Sequence, residues 1–387
     1  MGRSIISSKV NNLQPSGIRK FFDIVSTMKD VISLGIGEPD FTTPEPILRA
    51  GIKALENGET HYTSNAGIIE LREAITEHLE GLYGVSYDPQ KEVVVTVGVS
   101  EALYLAMTTL LDPGDEVIVP TPCFVAYQSE IEMAGGVTVE VACRMEDDFD
   151  INVDAVRAAV TPKTKVMLLS FPNNPTGAVA SREKVIALGK IAEENDLIII
   201  SDEIYDRLVY GVEHVYTAAL PGLRERTLTL GGFSKAYAMT GWRVGYAVGS
   251  EEIISGMVKV HQHTIMCAPA VSQFAALEAL KSGESYVQEM LAEYDRRRKL
   301  IVNGLNHIGL PTFEPKGAFY AFPKVDITGI DDFTFAERLL QEEQVAAVPG
   351  SAFGAGGEGF IRCSYATSYE KIEEALIRIE RFVRKLD

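Results

Sequence analysis

Cysteine is scarce in this chain of 387 residues, and its spacing argues against metal-bound and disulfide-bonded scaffolds. No two cysteines form a C-x-x-C pair, so we expect no zinc site, no other metal site and no disulfide framework. Widely spaced thiols are typical of a reducing compartment, which predicts a cytoplasmic protein. The four residues are Cys123, Cys143, Cys267 and Cys363.

Basic residues and long apolar runs are also few. The chain has 36 Lys and Arg against 54 Asp and Glu, a formal net charge of −18. Nucleic acids and anionic membranes are bound through basic patches, so neither is expected as a partner. No apolar run approaches the ~18 residues of a membrane span. The first ten residues, MGRSIISSKV, lack the apolar stretch of a signal peptide, so we expect none.

Hydrophobic residues make up 46% of the chain, enough for sizeable cores in two or three domains. Short β-branched runs alternate with helical patterns such as 101–111 and 181–195, which predicts an α/β fold with right-handed crossovers. Several runs are apolar on both faces, as strands inside a parallel sheet are. The predicted strands are 92–98, 115–120, 166–172, 196–203 and 226–232.

The pattern changes after about residue 275. A long helical stretch covers 273–309, and a last helix is predicted at 368–386. Short strand candidates lie between them, at 317–323, 345–350 and 359–366. We therefore predict a large α/β domain at 46–275 and a smaller α+β domain formed by 1–45 and 276–387. Ligands favour such domain interfaces and the carboxyl ends of parallel strands.

The strand at 196–203 ends in Asp202, followed by Tyr205. Burial of an ionised carboxylate is costly unless a cation accompanies it, and the protonated nitrogen of a pyridine ring is such a cation. The alternative is that Asp202 only caps the next helix. This segment alone leaves both interpretations open.

The strand at 226–232 runs into Ser234 and Lys235, with Arg243 further on. Lysine forms Schiff bases with carbonyls when its pKa is depressed by desolvation or nearby cations. A hydroxyl and a guanidinium suit a phosphate. The alternative is a surface lysine in a glycine-rich loop. The turn at Val99 and Ser100 opens a helix whose free N–H groups could bind the same phosphate, or it is an ordinary helix cap.

Three further residues follow predicted strands or lie on one. Asn174 stands in the rigid loop NNPTG, Phe124 could stack on a planar ring or pack in the core, and Arg362 lies on an apolar strand. A buried arginine needs an anion, either a bound carboxylate or an internal ion-pair partner. Together with the lysine and aspartate, these are the parts that pyridoxal-5′-phosphate (PLP) chemistry on an amino acid requires.

Six motifs occur in the order typical of one family. The chain resembles the class I/II aminotransferases of PLP fold type I over nearly its whole length, and within them the bacterial and archaeal aspartate and aromatic aminotransferases. The resemblance implies an α/β fold with a mostly parallel central sheet flanked by helices. The motifs are SLGIGEPDF (33–41), HYTSNAGIIELREAI (61–75), NNPTG (173–177), SDEIY (201–205), GGFSKAYAMTGWRVGY (231–246) and VPGSAFGAGGEGFIRCSYA (348–366).

The resemblance also implies residue roles. Lys235 matches the Schiff-base lysine that moves the proton, and Asp202 matches the partner of the pyridine nitrogen. Arg362 matches the arginine that holds the substrate α-carboxylate, with Gly37 in the loop beside it. The remaining matches are Tyr205 and Asn174 at the ring O3′, Phe124 on the ring face, and Val99, Ser100, Ser234 and Arg243 at the phosphate, with Tyr62 reaching the phosphate of a neighbouring subunit.

The implied activity is a ping-pong transfer of the α-amino group of an L-amino acid, aspartate or an aromatic one, to a 2-oxo acid such as 2-oxoglutarate, by a homodimer. The alternatives are a PLP-dependent C–S β-lyase, a nucleotide-binding protein without PLP, and an inactive regulator with the same fold. Preference for an acidic donor would require a cation, for which Arg19, Lys20, His261 and His263 are candidates. An aromatic donor would require an apolar pocket, to which Ile18, Phe21 and Ile36 could contribute.

Overall fold

A seven-stranded sheet forms the centre of the computed structural model, which describes residues 5–13 and 30–386. The strand order is β2-β8-β7-β6-β5-β3-β4, and the pairs from β7 through β4 are parallel while β8 runs antiparallel to both neighbours. The strands of the described chain are β1 Ile32–Ser33, β2 Val93–Thr96, β3 Glu116–Thr121, β4 Val137–Ala142, β5 Thr164–Ser170, β6 Ile198–Asp202, β7 Thr227–Gly232, β8 Gly245–Val248, β9 Tyr320–Ala321, β10 Val345–Ala346, β11 Val348–Pro349 and β12 Ile361–Ser364.

Helices pack on both faces of this sheet and around two smaller sheets. They are α1 Ser8–Asn12, α2 Glu45–Glu56, α3 Ile69–Tyr83, α4 Gly98–Leu110, α5 Ala126–Ala134, α6 Val153–Ala159, α7 Arg182–Glu194, α8 Glu251–Thr264, α9 Ala270–Ser282, α10 Glu284–Ile308, α11 Asp332–Glu343 and α12 Tyr369–Val383. Across the residues that the structure describes, no helix combines the length and apolar character needed to span a bilayer.

The predicted α/β class with a mostly parallel central sheet is confirmed. All five strands predicted for the large sheet are present as β2, β3, β5, β6 and β7. Two strands, β4 and β8, were not among those predicted. β4 is an edge strand with polar and exposed positions, and β8 is a short segment between Gly245 and Gly249, so neither produces the strong apolar run on which the prediction depended.

The long helix predicted at 273–309 is in fact two helices, α9 and α10, separated at Gly283. A Cβ atom at this position would lie 2.7 Å from the ring of Tyr237. The glycine therefore allows the chain to pass close to Tyr237 where the helix axis changes, a contact that helical periodicity does not reveal.

A second core surrounds the smaller sheets, in which β1 pairs with β10 and β11-β12-β9 form an antiparallel sheet. Its buried residues come from 32–34, 205–210 and 290–383, with one residue, Ala238, from the segment after β7. The predicted domain limits at residues 46 and 276 stay a prediction. The carboxyl ends of β5, β6 and β7 face this second core, and polar side chains collect between the two.

Candidate active site

A cavity of about 700 Å³ lies at the carboxyl ends of β5, β6 and β7. The first turn of α4 closes one side of it, and β12 contributes Arg362 from the smaller sheet. Eleven of the twelve predicted site residues line this cavity: Gly37, Val99, Ser100, Phe124, Asn174, Asp202, Tyr205, Ser234, Lys235, Arg243 and Arg362. The twelfth, Tyr62, is 79% exposed and lies outside it.

Lys235 stands three residues beyond the end of β7, and its side chain is half-buried in the cavity. Its Nζ donates a hydrogen bond to the carbonyl oxygen of Gly37 at 2.7 Å. Burial lowers the pKa of Lys235 to about 8, with Arg362 and Arg243 acting in the same direction and Glu38 opposing them. A lysine with this pKa has a reactive neutral amine near physiological pH, unlike a surface lysine.

Asp202 is buried at the end of β6. Tyr127 donates its hydroxyl to Oδ2 at 2.7 Å, and the backbone N–H of Ile204 donates to Oδ1 at 3.2 Å. Burial nevertheless raises the pKa of this carboxyl to about 6, although the bonds from Tyr127 and Ile204 oppose the rise. The bond to Ile204 closes a turn, and no α-helix begins directly after β6, so the alternative that Asp202 only caps the next helix is wrong. The carboxyl faces the cavity, where a cation would stabilise its charge.

Tyr127 was not among the predicted site residues. It lies in the first turn of α5, three residues after Phe124, with the two rings edge to face and their centroids 5.6 Å apart. Its hydroxyl also lies 2.8 Å from the Oγ of Ser170, the last residue of β5. The only sequence signal is an aromatic residue in a helix that follows a strand end, which is too common to identify a partner for Asp202.

The start of α4 forms a cradle opposite Arg243. Gly98 adopts a φ of +72°, and a Cβ there would lie 2.7 Å from Nη2 of Arg243. A Cβ at Gly245 would lie 2.9 Å from the backbone nitrogen of Val99, so β8 passes directly against this turn. The first N–H groups of a helix lack partners within it and attract anions. The cradle therefore suits a phosphate held by the helix start, Ser234 and Arg243.

Arg362 is 4% exposed and forms no ion pair with any residue in the described ranges, so the predicted alternative of an internal ion pair does not hold there. Its Nη1 donates to Oδ1 of Asn174 at 2.9 Å and its Nη2 donates to the carbonyl oxygen of Gly35 at 2.6 Å. The Nε is buried without a partner. A buried guanidinium with an unused donor and no carboxylate is suited to bind one from a ligand.

Only some of the residues predicted to select the side chain of the amino donor are described by the structure. Ile18, Arg19, Lys20 and Phe21 lie outside the described residues. His261 does not line the cavity and binds Glu101 instead, while His263 is exposed near the end of α8. Ile36 does line the cavity, where it is 43% exposed.

Glu101 and His261 form a buried pair directly behind the cradle. The Nδ1 of His261, a residue with 0% exposure, lies 2.7 Å from Oε1 of Glu101. The other oxygen of Glu101 accepts the backbone N–H of Val97 at 2.5 Å. A glutamate that reaches back to the N–H before its helix fixes the helix start, as in a capping box. The pair therefore holds the turn that presents Gly98, Val99 and Ser100.

We expect Glu101→Ala to weaken cofactor binding about fivefold, because the loss of one capping interaction is worth about 1 kcal/mol and loosens the cradle. Glu101→Gln, which keeps an acceptor for Val97, should retain most of the affinity. Titration of the cofactor-free protein by absorbance measures the dissociation constant. An unchanged constant in Glu101→Ala, with normal folding, would contradict a role for this pair in the cradle.

The chain is similar to known proteins over nearly its whole length. The sequence profile of the family "Aminotransferase class I and II" matches residues 29–379. A putative aminotransferase, YugH, of Bacillus subtilis is 50% identical over 99% of each chain, and an aspartate aminotransferase of Pyrococcus abyssi is 48% identical over 98% of each. The crystal structure of an aromatic aminotransferase from Pyrococcus horikoshii superimposes with a TM-score of 0.91 at 47% identity, covering 95% of this chain and 100% of that one.

These relatives favour neither the lyase nor the nucleotide-binding alternative. Matches at this identity and coverage show the family, its fold and its cofactor together. The chain belongs to the class I and II aminotransferases, and it is a PLP-dependent amino-acid aminotransferase of fold type I.

Proposed function

We propose that this enzyme transfers the α-amino group of aspartate or an aromatic L-amino acid to a 2-oxo acid such as 2-oxoglutarate, in a ping-pong reaction. The observation that carries the proposal is Arg362, buried in the cavity with a free Nε and no anion among the described residues. Amino acids and 2-oxo acids share an α-carboxylate, which one guanidinium can bind in both half-reactions.

Three features of the cavity fit the cofactor. The carboxyl of Asp202 forms no ion pair with any described residue, the turn at Gly98 leaves a cradle that a side chain would fill, and Lys235 has a depressed pKa. Lys235 would hold the cofactor covalently, Phe124 would cover its ring, and Tyr205 with Asn174 would bind O3′. Val99, Ser100, Ser234 and Arg243 would bind its phosphate. When bound, the cofactor supplies an electron sink for the charge left at the substrate Cα.

Lys235 carries out the proton transfer, and Asp202 supports it. Asp202 holds a proton on the ring nitrogen, because its buried carboxylate gains a cation there. Tyr127 and the backbone of Ile204 orient that carboxylate. The neutral Nζ of Lys235 would remove the proton from the substrate Cα and return one in the reverse direction. Its pKa of about 8 makes the neutral amine available for this general-base role.

Arg362 orients the substrate for this transfer. Its bonds to Asn174 and Gly35 direct the guanidinium into the cavity, so that a bound carboxylate holds Cα near Lys235. Because β12 carries Arg362 from the smaller sheet, movement of that part toward the large sheet would exclude water from the reacting atoms.

The described part of the cavity already fits an aromatic donor. Its cations are Lys235, Arg243 and Arg362, each of which has a role in holding the cofactor or the α-carboxylate. Ile36 and Phe124 supply apolar surface. An acidic donor would need a further cation, which Arg19, Lys20 or a second subunit could provide.

We also propose a homodimer in which Tyr62 reaches the cofactor phosphate of the partner. Tyr62, Ile265 and Met266 are large exposed hydrophobic residues on neighbouring segments, joined where Asn65 donates to the carbonyl oxygen of Met266 at 2.7 Å. Exposed apolar surface of this kind favours association. The four free thiols fit a cytoplasmic location.

An absorbance spectrum before and after addition of single L-amino acids, without acceptor, tests the proposed function. A visible band that shifts to the ultraviolet with aspartate or aromatic amino acids is expected, because the amino group stays on the enzyme until an acceptor arrives. If aspartate shifts the band, a cation outside the described part of the cavity must bind its side-chain carboxylate. Pyruvate and ammonia as products would indicate a lyase and contradict the proposal.

A further inference from the structure

Tyr320 of β9 lies at the centre of the site, although it is only 1% exposed and was not predicted from the sequence. Its hydroxyl oxygen lies 2.7 Å from that of Tyr205. The guanidinium carbon of Arg362 lies 4.6 Å from the centre of its ring. One side chain thus touches both the residue proposed to bind O3′ and the residue proposed to bind the substrate carboxylate.

The same hydroxyl leaves no room for a side chain at Gly37. A Cβ on Gly37 would lie 2.5 Å from the Oη of Tyr320 and 3.3 Å from its Cζ, so any side chain there would displace the tyrosine. The carbonyl oxygen of Gly37 accepts the bond from Lys235. The absence of a side chain therefore lets the loop approach Lys235 without disturbing the pair of tyrosines.

The direction of the bond between the two hydroxyls follows from charge. Burial raises the pKa of both tyrosines, and Arg362 opposes the rise in both, but it ranks higher among the causes for Tyr320, whose ring lies under its guanidinium. A ring facing a cation makes its hydroxyl the better donor. With Tyr320 donating to Tyr205, the proton of Tyr205 remains free to point into the cavity.

We propose that Tyr320 is a positioning residue with two separable parts. Its hydroxyl donates to Tyr205 and directs the Tyr205 proton toward O3′ of the cofactor, while its ring supports the guanidinium of Arg362. The part that concerns O3′ rests on the proposed function. The steric fit between Gly37 and the Tyr320 hydroxyl does not.

The steric fit is tested on cofactor-free protein with Gly37→Ala, Tyr320→Phe and the double variant. Gly37→Ala should lower the melting temperature by about 2–5 °C, as overpacking does in a protein of this size. Removal of the hydroxyl eliminates the 2.5 Å contact and leaves the ring contacts at 3.3 and 3.4 Å, so the same substitution should cost less than half as much in the Tyr320→Phe background. Equal losses in both backgrounds would overturn the proposed fit.

The hydroxyl's effect on Tyr205 is tested by the pH titration of the visible band in the holoenzyme. Tyr320→Phe should raise the midpoint by about 0.5 pH unit, because Tyr205 becomes a weaker donor once its own oxygen accepts no bond. The shift should vanish in a Tyr205→Phe background. An unchanged midpoint, or the same shift without Tyr205, would refute this role.

The KM for the amino donor distinguishes the role of the Tyr320 ring from the role of its hydroxyl. Tyr320→Phe should leave KM for the amino donor within about twofold, whereas Tyr320→Leu should raise it about tenfold by removing the surface under Arg362. Equal KM values in the two variants would contradict support of Arg362. A wild-type protein that binds no cofactor would refute the proposed function, and the melting temperatures would still decide the fit at Gly37.

Discussion

Lys235→Ala is expected to abolish the visible absorbance band and to lower kcat/KM by about 10⁴-fold. The band depends on the covalent attachment that Nζ provides, and general-base catalysis alone contributes about 10²–10⁴-fold. Because Lys235 both attaches the cofactor and acts as the general base, its loss should lower the rate by the upper end of that range. The absorbance spectrum and steady-state rates with a saturating acceptor measure the two effects.

Lys259→Ala is the matched control, since it removes an equally long cation that is exposed on α8. It should leave both the band and the rate unchanged. Full turnover by Lys235→Ala, with the control also normal, would show that another group carries the proton and would refute the role given to Lys235.

The pKa of Lys235 predicts how quickly cofactor-free protein takes up PLP at different pH values. Only the neutral amine attacks a carbonyl, and a group with a pKa of about 8 is about 9% neutral at pH 7 and about 91% neutral at pH 9. The rate of band formation should therefore rise about tenfold over this interval and level off above it. A rate that still rises steeply beyond pH 9.5 would indicate an unperturbed lysine.

Arg362→Leu is expected to lower kcat/KM by about 10³-fold while the visible band remains. Truncation of one partner in a buried, charge-assisted pair costs about 2–5 kcal/mol, and 4 kcal/mol corresponds to roughly this factor. Arg362→Lys keeps the charge but loses the planar fork, so its loss should be smaller yet still about tenfold or more.

A donor without an α-carboxylate provides a sharper test of the role of Arg362. Wild-type enzyme should prefer phenylalanine strongly over the corresponding amine without a carboxylate, and this preference should nearly disappear in Arg362→Leu. Arg49→Leu serves as the control, because Arg49 is exposed on α2 and its pair with Glu45 contributes little. An intact preference in Arg362→Leu would mean that another cation binds the carboxylate.

Three of the predicted residues that line the cavity share one property. Asp202 is the last residue of β6, and Asn174 and Lys235 follow β5 and β7 by a few residues, at the edge where the parallel strands end. Local sequence is sufficient to place them there, and the recognised motifs supplied roles for Arg243 and Arg362. These roles remain to be tested by the substitutions described above.

Other features depend on residues that are far apart in the chain. Tyr127 meets Asp202 across 75 positions, His261 meets Glu101 across 160, and Tyr320 meets Tyr205 across 115. No local pattern distinguishes these side chains from ordinary core residues. The sequence likewise shows that Gly37 is a glycine, but only the approach of Tyr320 explains why a side chain cannot stand there.

The sequence by itself determined the α/β class, the family and the chemical types gathered at the strand ends, because strand periodicity, turn residues and motifs are local properties of the chain. Only the tertiary structure decided which of these groups touch. In the folded structure, Arg362 has no anion among the described residues, Asp202 is buried beside Tyr127, and the pKa of Lys235 is lowered. Burial and charge at a site are sums over distant segments, so they exist only once the chain is folded.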